Sequence, residues 1–598
     1  MRDRRLTYGG GVVEMNSGVS AGEVTSAVLA VDELQSFGGG LHWLESAGSK
    51  TSIASWSPGG TVESHEFDAG SAVHSYGGGT FAHTASGLLA VSKADGQIWK
   101  VDPAERLTDL RGHIGGLVAA GERIIAVLDS GDRDALIEVD LTTHQTETLH
   151  QAPFIASPTV NEHRIAWAQW PEQAAPWNHS EIWIAEHRPG RPIAGPERIA
   201  GGSQESAIEP KWGPDEHLYF LSDRTGWWNL YRWNGSDVEP LAPIEADCAA
   251  APWELGYSSY AFLESGRIAM LARSGPPARL LIAEPGGPIR EIPTPYTSIK
   301  PYLTALGDRV SLIGSSASMP PQAALIEPDE PHDMTVIRAS TSQTPSADHS
   351  DAEILTTESD SGRITFVWHP PQGHDGAPAP TIVRAHPGPT HHVEIRLDAD
   401  LWFYTSQGFA VVDVDYRGST GYGRAFRQSL YGHWGDYDAA DCADVARSLV
   451  ETGRSRPGAV FILGASAGGF TALNAACLPD NPFTLAVARS AIVDPLKWAE
   501  ATPRFHRPNA RALAGARVDA ARVNIPVLLI HGDDDKVVPV DDVAELAKAL
   551  SGRRKLVGLV RFPDGGHYLS GTQVKAKVLE NEVDAFRRAL SSDGPSPE

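Results

Sequence analysis

The sequence predicts an N-terminal all-β propeller, with seven blades, joined to a C-terminal α/β domain with a mostly parallel sheet. Two observations carry this. Up to about residue 340, short apolar strands recur between Gly, Pro and Asp turns. Beyond about 352, apolar runs alternate with amphipathic helices.

The repeating apolar runs are Leu41–Leu44, Leu88–Val91, Ile124–Val127, Ile165–Ala168, Leu218–Leu221, Ile268–Leu271 and Val310–Ile313. They start 36 to 53 residues apart. Each is read as the opening strand of a unit, followed after a turn by a second strand such as Gln97–Val101, Ala135–Val139, Glu181–Ala185 or Asn229–Trp233. That spacing matches a four-stranded propeller blade, and seven openings give seven blades. The expected domains are 1–340 and 341–598, with residues 1–24 assigned to neither. The polar, turn-rich stretch 340–350 serves as linker.

In the second part, predicted strands cover Thr381–Ala385, Phe409–Asp413, Ala459–Leu463, Val487–Ala488, Val527–Ile530 and Leu556–Phe562. Predicted helices cover Ala439–Glu451, Phe470–Ala476, Val543–Leu550 and Val574–Leu590. Near-continuous Val/Ile/Leu runs are typical of parallel strands buried on both faces.

Composition narrows the function. The 598-residue chain carries a net charge of −25 without a basic patch, which argues against nucleic acid or an anionic membrane as partner. Its three cysteines, Cys248, Cys442 and Cys477, are odd in number and far apart, so no disulfide framework or zinc pattern is expected. The first residues lack a 7–15-residue apolar core after the charged start, and no 18-residue apolar run exists. The expectation is a cytoplasmic enzyme without cofactor or metal. His386, His391 and His392 lie close in sequence, but no carboxylate accompanies them at a ligand spacing.

The chemistry is written most clearly at Gly464-Ala-Ser466-Ala-Gly468. An apolar strand runs into this Gly-x-Ser-x-Gly, and a helix-forming stretch follows at once. That is the form of a nucleophile elbow, in which a serine is held on a sharp strand-to-helix turn. A serine hydroxyl needs a base within hydrogen-bond reach and a third group to orient the base. In α/β-hydrolases these follow in the order Ser, Asp or Glu, His. After Val527–Ile530 come Asp533, Asp534 and Asp535. After Leu556–Phe562 comes His567, flanked by glycine. His567 is the expected base, and the three aspartates compete for the third place. For the oxyanion hole, the backbone N–H of Ala467 follows the nucleophile. The loop His386-Pro387-Gly388-Pro389 offers a second donor: Gly388, because proline has no N–H, or the His386 side chain.

These residues, together with Asp415-Tyr-Arg-Gly-Ser-Thr-Gly-Tyr-Gly-Arg424, Trp434-Gly-Asp436, His531-Gly-x-x-Asp535-x-x-Val-Pro539 and Ser222-Asp-Arg-Thr-Gly-Trp-Trp-Asn-Leu-Tyr231, make the chain resemble the prolyl oligopeptidase family of serine peptidases. The Asp415 stretch resembles its dipeptidyl-peptidase and acylaminoacyl-peptidase branch. The resemblance implies a propeller that limits access to an α/β-hydrolase site, and hydrolysis of short peptides through an acyl-enzyme. It selects Asp535 for the third place, with Asp534 as fallback. The family's loop reads His-Gly-Gly-Pro, so Pro387 is a departure. Trp498 and Phe505 are the expected walls of the pocket after the nucleophile helix, and Glu205 and Glu209 the candidates for holding a substrate amine. The expected activity is that of an exopeptidase, acylaminoacyl or dipeptidyl/aminopeptidase in type. The same triad would serve an esterase or amidase that tailors a specialised metabolite. A binding protein with a vestigial hydrolase domain is the non-enzymatic alternative. The resemblance admits a homo-oligomer.

Overall fold

The computed structural model describes residues 19–25, 29–48, 50–284, 286–341, 352–359 and 362–591. Seven antiparallel sheets fill 30–339 and follow one another in sequence. The first spans Ala30–Phe37, Gly40–Ala47, Lys50–Trp56 and Glu63–His65. The seventh has five strands because its first is broken: Ser298–Ile299 and Thr304–Leu306 both pair with Arg309–Ser315.

The seven apolar runs are the second strands of their sheets, not the openings expected from the sequence. The reason is burial. A second strand has a partner on either side and a neighbouring blade over each face, so it reads as uninterrupted apolar sequence. The first strands of the first, third, fourth and fifth sheets have irregular register. Glu33, Ser157 and Glu209 take left-handed backbone there, with φ of 51°, 48° and 52°.

Two of these bulges fasten adjacent blades. The Glu33 carboxylate accepts from the N–H (2.7 Å) and hydroxyl (2.6 Å) of Thr80. Glu209 accepts from the N–H (2.6 Å) and hydroxyl (2.8 Å) of Ser259 in the same way. First and last blades share no strand. The ring closes instead through Leu29 N–H to Ser340 O (3.0 Å), Lys300 to Val31 O (2.9 Å), and Arg338 on Glu45 (2.6 and 2.9 Å).

The second domain is built on an eight-stranded sheet. Its spatial order is 353–359, 362–369, 410–415, 379–385, 455–465, 485–489, 527–532 and 556–562. Only Gly362–His369 runs against the rest. All six predicted strands are present, and the leading hairpin is an addition. Adjacent residues face opposite sides of a strand. Ile382, Val411 and Phe461 therefore pack under helices Ala399–Ser406 and Thr572–Leu590, while Val383, Val412 and Ile462 pack under Tyr437–Glu451, Ala467–Ala475 and Val540–Gly552.

Residues 1–18 lie outside the described residues, as do 342–351, most of the expected linker. Ala21–Thr25 is helical and packs on Thr572–Leu590, with the Thr25 hydroxyl on Thr572 O at 3.2 Å. The three cysteines are buried and free. No helix among the described residues is long and apolar enough to cross a membrane.

The two domains meet through buried charge. Asp223 of the propeller receives Arg427 at 2.5 Å and Arg424 at 2.8 Å. Both Asp223 and Arg427 are fully buried. Asp247 accepts from Gly421 N–H (3.0 Å) and Gly423 N–H (3.2 Å). Arg504 reaches across to Asp134 (2.5 Å) and Asp129 (2.9 Å).

Candidate active site

Ser466 sits between strand Ser455–Ala465 and helix Ala467–Ala475 with φ 54° and ψ −116°. That backbone is strained for a residue with a side chain and lifts the hydroxyl out of the sheet. The flanking glycines matter through close approach. A Cβ on Gly464 would lie 2.0 Å from Gly468 O, and one on Gly468 would lie 2.2 Å from Ala385 O. Gly468 thus lets the start of the nucleophile helix rest against the end of strand Ala379–Ala385, where the His386–Pro389 loop begins.

Three side chains form one line. His567 Nε2 is 3.0 Å from Ser466 Oγ, and His567 Nδ1 is 2.8 Å from Asp535 Oδ2. The second oxygen of Asp535 accepts from Val537 N–H (2.9 Å) and Val538 N–H (2.8 Å). Burial alone would raise the Asp535 pKa. The hydrogen bond and charge of His567 and the two backbone donors outweigh it, so the carboxyl is held below its ordinary range. Asp533 pairs with Arg561 at 2.6 Å, and Asp534 pairs with Lys536 on the surface. The other two aspartates are therefore turned away from His567.

Two backbone N–H groups are the candidate oxyanion donors. Ala467 N–H and Gly388 N–H have no protein acceptor among the described residues. Gly388 holds φ 60°, which glycine adopts without penalty. The His386 side chain is engaged elsewhere. Its ring stacks on Tyr416 with centroids 4.1 Å apart, and its Nε2 lies 2.8 Å from Ser419 Oγ. The single Ser419 proton goes to Tyr416 O at 2.6 Å, so His386 must donate from Nε2 and leave Nδ1 as an acceptor. Burial lowers its pKa to about 3, which keeps the ring neutral. The side-chain option for the oxyanion donor gives way to a supporting role: His386 and Tyr416, whose hydroxyl donates to His386 O at 2.8 Å, fix the loop. His392, further along, meets Thr420 Oγ1 at 2.9 Å.

The propeller reaches this loop as well. Trp253 Nε1 donates to Thr390 O at 2.8 Å, and its ring lies 3.5 Å from where a Gly388 Cβ would be. Neither Trp253 nor Tyr416 was singled out from the sequence. Tyr416 lies inside the Asp415–Arg424 motif, whereas Trp253 has no motif around it.

The remaining candidates divide. Trp498 is half-buried, donates to Val537 O at 2.9 Å beside Asp535, and faces His506 at 6.0 Å. Phe505 is 3% exposed and buried among propeller aromatics, stacked on His74 at 5.4 Å and near Phe154, Trp170 and Trp177. It packs as a plug between the domains, because its ring is enclosed by these propeller rings. Glu205 is taken by Ser222 (2.6 Å) and Arg224 (2.8 Å), and Glu209 by Ser259, so neither is free to meet a substrate amine. Glu254 follows Trp253 in sequence and, with Glu209, lines a cavity on the propeller side. It is half-buried beside Trp253 and Tyr257 in a cavity at the propeller mouth and accepts from the Tyr302 hydroxyl at 3.0 Å. No cation lies within ion-pairing distance of it among the described residues. Burial, then the charge of Asp32, raises its pKa.

Comparison with known proteins agrees with this architecture. Residues 395–593 match the prolyl oligopeptidase family. The acylamino-acid-releasing enzyme of Mus musculus is 27% identical over 238 residues, 36% of this chain and 32% of that one. Dipeptidyl aminopeptidase BIII of Pseudoxanthomonas mexicana is 27% identical over 33% of this chain and 31% of its own. The chain thus spans about a third of the length of these curated relatives. Solved structures align more fully. A puromycin-hydrolyzing peptidase of Mycobacterium tuberculosis superposes with a TM-score of 0.89 at 28% identity, covering 100% of this chain and 99% of that one. A puromycin hydrolase gives 0.86 at 25% identity, covering 96% and 97%. The match to the prolyl oligopeptidase family thus covers residues 395–593, the hydrolase part of this chain, and the structural likeness to these peptidases extends through the propeller.

Proposed function

We propose that this chain is a serine exopeptidase of aminopeptidase type that hydrolyses amide bonds of short peptides and aminoacyl amides. The observation that carries the proposal is the hydrogen-bonded line from Asp535 through His567 to Ser466, at 2.8 and 3.0 Å. In the proposed cycle Ser466 Oγ attacks the carbonyl carbon and His567 Nε2 takes its proton. Ala467 N–H and Gly388 N–H hold the developing oxyanion, and His567 returns the proton to the leaving amine. Water then cleaves the acyl-enzyme by the same route. Asp535 holds the imidazole with Nδ1–H toward the carboxylate.

The free-amine preference rests on Glu254, a carboxylate beside Trp253 that makes no ion pair among the described residues. The two curated relatives named above release acylamino acids and dipeptides, whereas the solved structures that align along the whole chain hydrolyse puromycin. An amidase acting on a metabolite is therefore the same chemistry at the same site. The test compares free and acetylated aminoacyl anilides, dipeptidyl anilides and puromycin on wild type, Ser466→Ala and Glu254→Gln. Ser466→Ala should lose turnover and keep its fold. Glu254→Gln should raise KM for free-amine substrates only. Preference for acetylated substrates would move the enzyme to the acylaminoacyl type, and turnover by Ser466→Ala would overturn the mechanism.

A further inference from the structure

A belt of rings encloses the mouth of this site. Trp253 touches the oxyanion loop at Gly388. Tyr76 lies 5.4 Å from Trp253 and 5.0 Å from His506. His506 lies 6.0 Å from Trp498, which is bonded to Val537 beside Asp535. Tyr76, Trp253 and Trp498 are each partly exposed. The belt therefore runs from the oxyanion side of Ser466 to the Asp535–His567 side, and its surface is aromatic apart from one member.

That member is His506. It is 4% exposed, yet neither ring nitrogen has a hydrogen-bond partner among the described residues, and neither is sealed from solvent. The small exposed part of the ring is thus its polar edge. Solvent reaches this polar edge and no protein group pairs it, so a ligand that displaces the solvent must itself supply the hydrogen bond. The protonation state restricts that group. Burial, with the nearby His567 adding to it, lowers the His506 pKa to about 4, so the ring is neutral above that pH and carries one donor and one acceptor. A neutral imidazole does not attract a carboxylate as a cation would. It suits an uncharged polar group carried on an apolar frame.

From this we propose that His506 is a specificity-determining residue. It takes a hydrogen bond from the hydroxyl of an aromatic side chain held in the belt, so that hydroxyaryl aminoacyl amides are preferred over the unsubstituted aryl compounds. This rests on the function proposed above and adds the class of substrate side chain. Stacking against Tyr76, Trp253 and Trp498 supplies the apolar contact. The His506 acceptor supplies discrimination, because a site that hydrogen-bonds a hydroxyl is left with an unpaired buried group when the hydroxyl is missing.

The test measures kcat/KM for tyrosyl, O-methyltyrosyl and phenylalanyl anilides. One neutral hydrogen bond corresponds to a preference of roughly threefold to tenfold for tyrosyl over phenylalanyl. The O-methyl compound has no proton to donate and should fall toward the phenylalanyl value. This first arm needs only the wild type, and a ratio at or below one overturns the proposal. In the second arm, His506→Phe keeps the ring and removes the acceptor, and the tyrosyl-to-phenylalanyl ratio should fall to about one. His506→Gln, which restores an acceptor, should recover part of the ratio. An unchanged ratio in His506→Phe overturns the assignment to His506. Absence of any Ser466-dependent anilide cleavage in the wild type would instead overturn the functional reading itself.

Discussion

Trp253 of the propeller donates its indole N–H to the carbonyl of Thr390 at 2.8 Å, so a residue of one domain holds the proposed oxyanion loop of the other. The loop needs such a hold. Gly388 has left-handed backbone, and its N–H is one of the two donors with no protein acceptor. Oxyanion stabilisation depends on donors fixed before charge develops, because moving them during the reaction costs energy.

Replacing Trp253 with Phe keeps an aromatic ring at the belt and removes the bond to Thr390. The expected result is a fall in kcat of about tenfold, with stability lowered by only about 1 kcal/mol, the usual range for one neutral hydrogen bond. Steady-state rates beside a denaturation curve check this. A loss of stability without a change in kcat would show that the bond only joins the domains.

Asp535→Asn tests the orienting group. One Asp535 oxygen accepts two backbone N–H groups, from Val537 and Val538. An amide side chain must keep its oxygen there and turn its NH2 toward His567 Nδ1. That favours the tautomer with the proton on Nε2, which cannot take the Ser466 proton. The expected loss is about 10^3- to 10^4-fold in kcat near neutral pH, with little change in KM. A loss under tenfold would assign the orienting role elsewhere.

Much of this was legible in the sequence because the signals are local. The nucleophile elbow requires glycine at 464 and 468 for close backbone approach, and glycine is visible in any sequence. Ser466, Asp535 and His567 each follow an apolar strand, so topology alone places them at one rim. The propeller was legible for the same reason, through its apolar second strands. What was not legible depends on contacts between distant segments. Nothing near Phe505 says that it enters the propeller mouth, since an apolar residue in a loop has no period to read. Glu205 and Glu209 look like free loop carboxylates until Arg224 and Ser259 are seen to occupy them. Trp253, Glu254 and His506 belong to the site only because the two domains face each other.

The buried pair at the domain junction should matter more for stability than surface pairs do. Arg427 and Asp223 are both fully buried, and the Arg427 guanidinium also lies 3.9 Å from the centre of the Trp228 ring. Asp223→Ala leaves Arg427 buried without its carboxylate, a loss on the order of 3–5 kcal/mol. Arg427→Met is expected to be milder, because Arg424 still pairs with Asp223 at 2.8 Å. Chemical denaturation of both variants checks the order. The cost should persist in high salt, since screening acts on exposed charge. Equal and small losses would show that the aromatic contacts around Phe505 hold the domains together instead.

Glu33 gives the propeller a pH dependence of definite sign. Its carboxyl is fastened to Thr80 between the first two blades, and burial, its largest influence, raises the pKa from 4.5 to about 7 despite the Thr80 hydrogen bonds. The folded state therefore binds the proton more tightly than the unfolded chain does. The contribution is fully present below about pH 4.5. It declines as pH rises, because the unfolded chain ionises first, and is lost once pH passes about 7. Glu33→Gln keeps the shape and an acceptor oxygen but has no proton to release. The Tm of wild type relative to Glu33→Gln should thus be higher near pH 5 than near pH 8. Thermal unfolding of the pair across that interval measures it. A difference that stays flat, or grows with pH, would mean that Glu33 is ionised in the folded protein and that the Thr80 hydrogen bonds outweigh its burial.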